Sequence, residues 1–333
     1  MAAALRQLAD LARPSEWALL AVLLLMPLLA DDFWLVQILA RTLFLGLIAL
    51  GLTFLIGFAG IVSLAQMTIA GVAAYTVAIF TTTEVGLQWS LPMVLALPLA
   101  LAMALLASVV IGWLAVRTSG IYTIMITLAI AVIFSYFTRQ NYAVFNGFTG
   151  FPQVRAPTIG GLDLQAPAPF YLLCLVCAVF GYALIRHLRR TPFGLSLEGM
   201  RDSARRLASL GYNVHRHRIA AYAVAGLLAG LGGILLVWFN TRIDPSTVGV
   251  EPVINVLVVA VIGGVGHPVG AFAGALTFVL IDNFATDLIP GARERFNLLI
   301  GLVFLVIVVA SPDGLVGLWK RFARATRESG PDD

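Results

Sequence analysis

Long apolar segments alternate with short polar connections along most of the chain. Windows of membrane-spanning character lie at roughly 17–30, 34–56, 63–82, 91–116, 121–138, 169–187, 219–239, 252–262, 268–281 and 296–310. Several are shorter than the roughly 20 residues that a helix needs to cross a bilayer, so interrupted helices are expected. The pattern predicts an all-α polytopic membrane protein with about ten transmembrane helices, some short or interrupted, in one domain covering residues 1–333.

The positions of the basic residues orient these predicted spans. Cytoplasmic loops of membrane proteins collect Lys and Arg. If the N-terminus with Arg6 and Arg13 is cytoplasmic, ten spans also place Arg117, the basic stretch 186–218 and the basic tail 320–327 on that side. We therefore predict that both termini are cytoplasmic and that the first span is retained in the mature chain.

Composition excludes several functional classes. Of the 333 residues, 60% are hydrophobic and 11% are charged, too few charges to cover a soluble protein of this size. The single lysine, Lys320, does not lie in a phosphate-binding GxxxxGK[ST] motif, and we find no catalytic or metal-binding cluster. We expect neither an enzyme nor a cofactor on this chain. Topology and anionic lipids explain the net charge of +4, so nucleic acid is not an expected partner.

Glycines are concentrated in two places. One cluster contains Gly57 and Gly60, and the other contains Gly263, Gly264 and Gly266. Broken backbone inside a bilayer is tolerated where it is buried in protein or lines a cavity. Glycine also allows helices to pack closely. Both explanations, translocation path and packing, remain open for these two clusters.

Polar side chains follow the first glycine cluster. They are Ser63, Gln66, Thr68 and Tyr75. Polar groups inside a membrane protein usually face the bundle interior or a water-filled path. Their arrangement is compatible with a route for a zwitterionic solute and equally with hydrogen bonds between helices.

The basic stretch 186–218 contains a predicted amphipathic helix. Pro192 suits the first turn of this helix, and Gly211 suits its end. A narrow apolar stripe recurs at steps of three and four residues through Leu197, Met200, Ala204, Leu207 and Leu210. Such a helix can lie on the lipid surface or insert into a groove on a partner protein.

Four ordered segments resemble a known family. They are PFGLSLEGMRDSARRLASLGYNV at 192–214, ALGLTFLIGFAGIVSLAQMTIAGVAAY at 49–75, RTSGIYTIMITLA at 117–129 and VVAVIGGVGHPVGAFAGA at 258–275. Together they resemble the inner-membrane permease subunits of high-affinity branched-chain amino acid ABC importers. Four positions depart from that family's pattern: Ala204 replaces a glutamate, Arg205 and Arg206 stand where small apolar residues are usual, and Gln66 stands where histidine is common.

The resemblance implies a multi-pass inner-membrane permease that forms half of a translocation pore. Its implied partners are a second permease subunit, a cytoplasmic ATPase dimer that hydrolyses ATP, and a periplasmic solute-binding protein. The implied solute is a branched-chain amino acid, or alternatively urea or a short amide; a standalone channel or secondary carrier is the rival hypothesis. The implied coupling residues are Gly194, Leu197, Glu198, Gly199, Met200, Arg201, Asp202, Leu207, Leu210 and Gly211.

Overall fold

The computed structural model describes residues 14–81, 91–288, 296–310 and 314–317, which form a bundle of helices. The helices are α1 (Pro14–Leu29), a π-helical turn (Trp34–Ala40) continuing into α2 (Arg41–Ala59), α3 (Gln66–Thr81), α4 (Met93–Ala115), α5 (Ile121–Gln140), α6 (Tyr142–Phe145), α7 (Pro167–Arg189), α8 (Pro192–Ser209), α9 (Val214–Asn240), α10 (Val250–Gly263), α11 (Pro268–Leu288) and α12 (Phe296–Ala310). Two short strands, β1 (Thr158–Ile159) and β2 (Leu162–Asp163), form an antiparallel pair. Each predicted apolar window coincides with a helix.

Not every one of these helices is long enough to cross a bilayer. Within the described residues, five are long and apolar enough by themselves, namely 34–59, α4, α5, α7 and α9. The α10 and α11 helices form a pair bent by 117°, which raises the number of spans to at most six. Ten spans with cytoplasmic termini therefore remain a prediction. Arg6, Arg13 and the basic tail 320–327 lie outside the described residues.

The bundle has a central group of helices and a peripheral one. Within its most apolar window, the span 34–59 is 83% buried and α9 is 67% buried, whereas α4 and α5 are each 28% buried. Small residues allow the central helices to approach: a Cβ on Gly233 of α9 would overlap the Ala70 backbone of α3. At the start of α2, Arg41 pairs with Asp282 of α11 at 2.5 Å, so this charge inside a span is neutralised.

Both glycine clusters interrupt helices. Gly60 adopts a left-handed conformation (φ +65°) and ends α2, and helix resumes only at Gln66. Gly264 (φ +100°) ends α10, and α11 begins at Pro268. Both clusters, for which the sequence left a translocation path and close packing open, therefore coincide with helix interruptions.

Two connecting segments, 146–166 before α7 and 241–249 before α10, lie over the end of the bundle opposite α8. We call these two segments the cover. Phe151 and Ile243 join the two connections through backbone hydrogen bonds of 2.8 and 3.0 Å. The buried Phe151 ring also contacts Tyr75 of α3, which in turn packs edge-on against Phe145. These aromatic contacts fix the cover to the core of the bundle.

Asp244 stabilises the conformation of the segment before α10, and we expect its replacement to lower the stability of the cover. Its carboxylate accepts hydrogen bonds from the backbone N–H groups of Ser246 at 2.9 Å and Thr247 at 3.1 Å, and it pairs with Arg242 at 2.9 Å. Burial alone would raise the pKa of Asp244, but the Ser246 and Thr247 hydrogen bonds and the Arg242 charge outweigh burial and lower it. Asp244→Asn should cost about 1 kcal/mol of stability at neutral pH.

The pH dependence of this effect has a definite sign. Because the pKa of Asp244 is lower in the folded protein, its stabilisation is present above the unfolded pKa of roughly 4 and is lost as the pH falls through the folded value. Thermal unfolding in detergent should therefore show a difference between Asp244→Asn and wild type at pH 7 that shrinks below about pH 4. A difference that is independent of pH would contradict this account.

Candidate functional site

The α8 helix is fixed at both ends. Thr191 caps its start by accepting a hydrogen bond from the Gly194 N–H at 3.4 Å. A Cβ on Gly194 would overlap the Leu188 carbonyl, so the tight approach to α7 requires glycine there. At the other end, Gly211 adopts φ +88° and the Asn213 side chain caps α9 through the Arg216 N–H at 3.1 Å. The helix predicted between Pro192 and Gly211 is therefore observed.

The apolar stripe of α8 does not form one continuous docking face. Ser203 has non-helical torsion angles (φ −160°, ψ 98°), so the helix is kinked in its middle. Leu197 and Met200, 0% and 2% exposed, are buried in the chain's own core. Across the kink, Leu207 lies 3.5 Å from where a Cβ on Gly199 would sit. The bundle itself buries the Leu197 and Met200 side chains, so they are not exposed for insertion into a partner, and the coupling role of the stripe stays a prediction.

A different set of apolar residues is accessible around α8. Leu195 is 61% exposed, Leu210 is 74% exposed and Tyr212 is 43% exposed. Of these, the stripe identified only Leu210. The helical period did not identify Leu195, because this residue lies outside the stripe, two positions before Leu197. We call Leu195, Leu210 and Tyr212 the exposed apolar set.

The charged residues of α8 make contacts within the chain. Glu198 lies 3.6 Å from Arg189 at the end of α7. Asp202 lies 3.3 Å from Arg201. The Arg201 guanidinium donates a hydrogen bond of 2.5 Å to the Gly57 carbonyl, in the last turn of α2. A cation at this position satisfies a terminal carbonyl and complements the helix dipole.

The two glycine clusters meet at this same turn. A Cβ on Gly57 would come within 2.5 Å of the Val265 carbonyl, in the break between α10 and α11. A Cβ on Gly263 would overlap the Gly270 carbonyl, and a Cβ on Gly314 would overlap the Gly264 backbone. Gly266 is different, since no described atom lies within 4 Å of its added Cβ. Close packing explains Gly57 and Gly263, whereas the role of Gly266 in a path remains a prediction.

The four polar candidates are buried but do not form one cluster. Ser63, Gln66, Thr68 and Tyr75 are all at most 2% exposed. Both polar atoms of Gln66 lack a hydrogen-bond partner within the described part of the chain, as do the Thr68 and Tyr75 hydroxyls. Tyr75 lies near the cover, whereas Ser63 and Gln66 lie at the break after α2. Buried polar groups of this kind require water or a ligand, so they stay candidates for a polar path.

A cleft opens beside the break after α2. It has a volume of about 200 Å³ and lies between the break, the turn that joins α4 to α5, and the first turns of α9. Its wall contains Gly60, Ile61 and Val62 from the break, with Arg218 and Tyr222 from α9. Because the Arg201 side chain packs against Gly60, the cleft and α8 share one segment of backbone.

Comparison with known proteins agrees with this architecture. The sequence model of the family described as "Branched-chain amino acid transport system / permease component" matches residues 34–308. The chain is 24% identical to the Escherichia coli high-affinity branched-chain amino acid transport system permease protein LivM, over 86% of this chain and 70% of that protein.

Permeases named for other solutes are also similar. The Haemophilus influenzae ribose import permease protein RbsC is 25% identical over 91% of this chain and 93% of its own length. The Lactococcus lactis nucleoside ABC transporter permease protein NupC is 28% identical over 75% and 83%. No solved structure matches the chain. The family match covers most of the sequence and includes both helix breaks and α8, so the chain belongs to the branched-chain amino acid transport system permease family and is a multi-pass protein of the cell membrane.

Proposed function

We propose that the chain is the permease subunit of an ATP-driven importer and that it forms half of a translocation pore. A second permease subunit, a pair of cytoplasmic ATPases and a periplasmic solute-binding protein complete the transporter. The observation that carries the proposal is the hydrogen bond from Arg201 of α8 to Gly57 at the end of α2. It joins a surface helix directly to an interrupted helix in the core.

Through this contact, a movement of α8 can displace the end of α2 inside the bundle. Gly57 packs against Val265, so the end of α2 also touches the second helix break. A push on α8 by a partner would displace the backbone at both interruptions, where few regular helical hydrogen bonds resist a change. The exposed apolar set lies on α8 and directly after its last residue, and it provides a surface on which the ATPase docks.

Branched-chain amino acids are the proposed solutes. The family description and the LivM similarity support this choice, while the ribose and nucleoside permeases provide the competing solutes to test. Uptake of radiolabelled leucine, ribose and uridine should be compared in cells that express the complete transporter, before and after ATP depletion. The proposal expects ATP-dependent uptake of leucine. Uptake that survives ATP depletion would favour a standalone channel or secondary carrier.

Gly199→Arg should prevent association with the ATPase. Gly199 lies on α8, where only the Leu207 side chain comes within 4 Å of an added Cβ. An arginine would push Leu207 aside and add a charge to the docking helix without entering the core. We expect at least a tenfold loss of ATPase recovery in affinity purification, since a buried unpaired charge at an interface costs more than about 1.4 kcal/mol.

Gly199→Ala is the matched control for this experiment. Its Cβ would make an ordinary contact of 3.5 Å with Leu207, so ATPase recovery should equal that of wild type. Equal recovery with Gly199→Arg, in protein that is inserted normally in the membrane, would argue against α8 as the docking helix.

A further inference from the structure

The cleft beside the α2 break combines polar and apolar walls. Its apolar side is formed by Ile61, Val62 and Ile124, together with Ala115 and Val116. The polar residues that line the cleft are Thr118, Ser119, Thr123, Arg218 and Tyr222. The volume of about 200 Å³ is sufficient for a small solute with one charged end and one aliphatic end.

Arg218 brings a positive charge to this cleft. This residue is half-buried and lines the cleft, and its Nε is inaccessible to solvent and has no hydrogen-bond partner in the described part of the chain. Among the described residues that line the cleft, none is acidic. The N-terminal end of α5 borders the same space, and its N-cap residue, Gly120, offers no side-chain acceptor for the first N–H groups of that helix. Arg218 and the helix terminus both favour an anion.

A second polar group in the wall also lacks a partner. Tyr222 is 0% exposed, lines the cleft one helical turn from Arg218 and carries a hydroxyl that has no hydrogen-bond partner among the described residues. The Ser63 hydroxyl is near it, but outside hydrogen-bonding geometry. A buried hydroxyl without a partner costs free energy, which a bound water or ligand would recover.

We infer that this cleft binds the carboxylate of a small aliphatic solute, with Arg218 as the charge partner and Tyr222 as a hydrogen-bond donor. The aliphatic end of the solute lies against Ile61, Val62 and Ile124. This inference rests on the proposed transport function and refines its substrate class. An amino acid with an aliphatic side chain can pair its carboxylate with Arg218 and place its side chain against the apolar wall. Ribose and a nucleoside have no carboxylate to pair with Arg218.

The location of the cleft connects binding to α8. A Cβ on Gly60 would come within 2.8 Å of the Arg201 Cγ, so Arg201 supports the back of the cleft wall. A movement of α8 that shifts Arg201 would therefore change the shape of the cleft. The site is thus positioned to hold or release the solute according to the state of the ATPase.

The test is equilibrium binding of radiolabelled leucine to the purified transporter without its solute-binding protein, in phosphatidylcholine nanodiscs. We expect saturable binding that leucine and 4-methylpentanoate compete for, and that leucinol and ribose compete for at least about tenfold more weakly. Arg218→Gln should weaken leucine binding at least tenfold, and Tyr222→Phe should weaken it several-fold. Arg216→Gln, on an exposed position of the same helical turn, should bind leucine like wild type.

Four results would overturn the inference: no leucine binding, equal competition by leucinol, wild-type affinity in Arg218→Gln, or binding abolished when phosphatidylglycerol is added. The last result would assign Arg218 to a lipid phosphate. Thermal stability of each variant separates loss of binding from loss of folding. If cells import leucine in an ATP-dependent way but the purified transporter binds no leucine, only this inference fails; if leucine binds through Arg218 but no ATPase assembles, only the proposed function fails.

Discussion

Replacing Arg201 with methionine is expected to lower ATP-driven uptake at least about tenfold while leaving the ATPase bound to the transporter. Methionine keeps the unbranched stem that packs on Gly60 but removes the guanidinium that bonds to the Gly57 carbonyl. Hydrogen bonds to charged groups contribute about 1.5–3 kcal/mol, so the end of α2 would lose its main connection to α8. Uptake and ATP hydrolysis should be measured on the same preparations.

A comparison of uptake with ATP hydrolysis in the same variant identifies the role of Arg201. We expect hydrolysis to persist while uptake falls, because the ATPase docks on the exposed apolar set and not on the contact with Gly57. Arg201→Lys should recover part of the uptake, since an ammonium can still donate to a carbonyl. Arg216→Met removes an arginine from an exposed position outside α8 and should have no effect. Normal uptake in Arg201→Met would remove this contact from the mechanism.

Gly263→Ala is expected to destabilise the protein by about 2 kcal/mol or more. The new Cβ would overlap the Gly270 carbonyl, and backbone on both sides of the break cannot move aside as a side chain would. Alanine is the better helix former by about 1 kcal/mol, but Gly263 lies at the last position of α10, where that gain is small. The unfolding temperature in detergent and the monodisperse fraction after purification would measure the loss.

Gly266→Ala is the matched control for this substitution. It changes the same residue type three positions later, in the same break, but its Cβ meets nothing within 4 Å. Its stability should equal that of wild type. If both alanine variants are equally stable, the close approach of α10 and α11 at Gly263 is not required for folding.

The position of each long apolar helix was largely predictable from the sequence, because a bilayer imposes long apolar segments. The glycine clusters also predicted where helices are interrupted, since Gly60 and Gly264 adopt torsion angles that other residues rarely take. The number of membrane crossings was harder to predict from the sequence. Hydropathy cannot distinguish two separate spans from a pair of helices that turns by 117° at Gly264–His267.

The functional face of α8 was harder to predict than its boundaries. Helical periodicity correctly identifies Leu197 and Met200 as one face but cannot tell whether a partner or the chain itself covers it. The kink at Ser203 further separates the two halves of the stripe, and no residue type in the sequence marks it. The contact between Arg201 and Gly57 joins positions 144 residues apart, so only the fold reveals it.

The cleft illustrates the same limit. Arg218 and Tyr222 are four residues apart on α9, and the sequence places them on one helix face. That the break after α2 and the turn before α5 close over this face depends on tertiary packing. From the sequence alone, Arg218 is one of several basic residues in a predicted cytoplasmic loop.

The importer assignment is tested by purifying the tagged chain from its native membrane in mild detergent and identifying its partners by mass spectrometry. We expect recovery of a second permease subunit together with one or two subunits that carry the phosphate-binding GxxxxGK[ST] motif. Recovery of the chain alone as a stable homo-oligomer would contradict it, and α8 would then be a helix of the membrane surface.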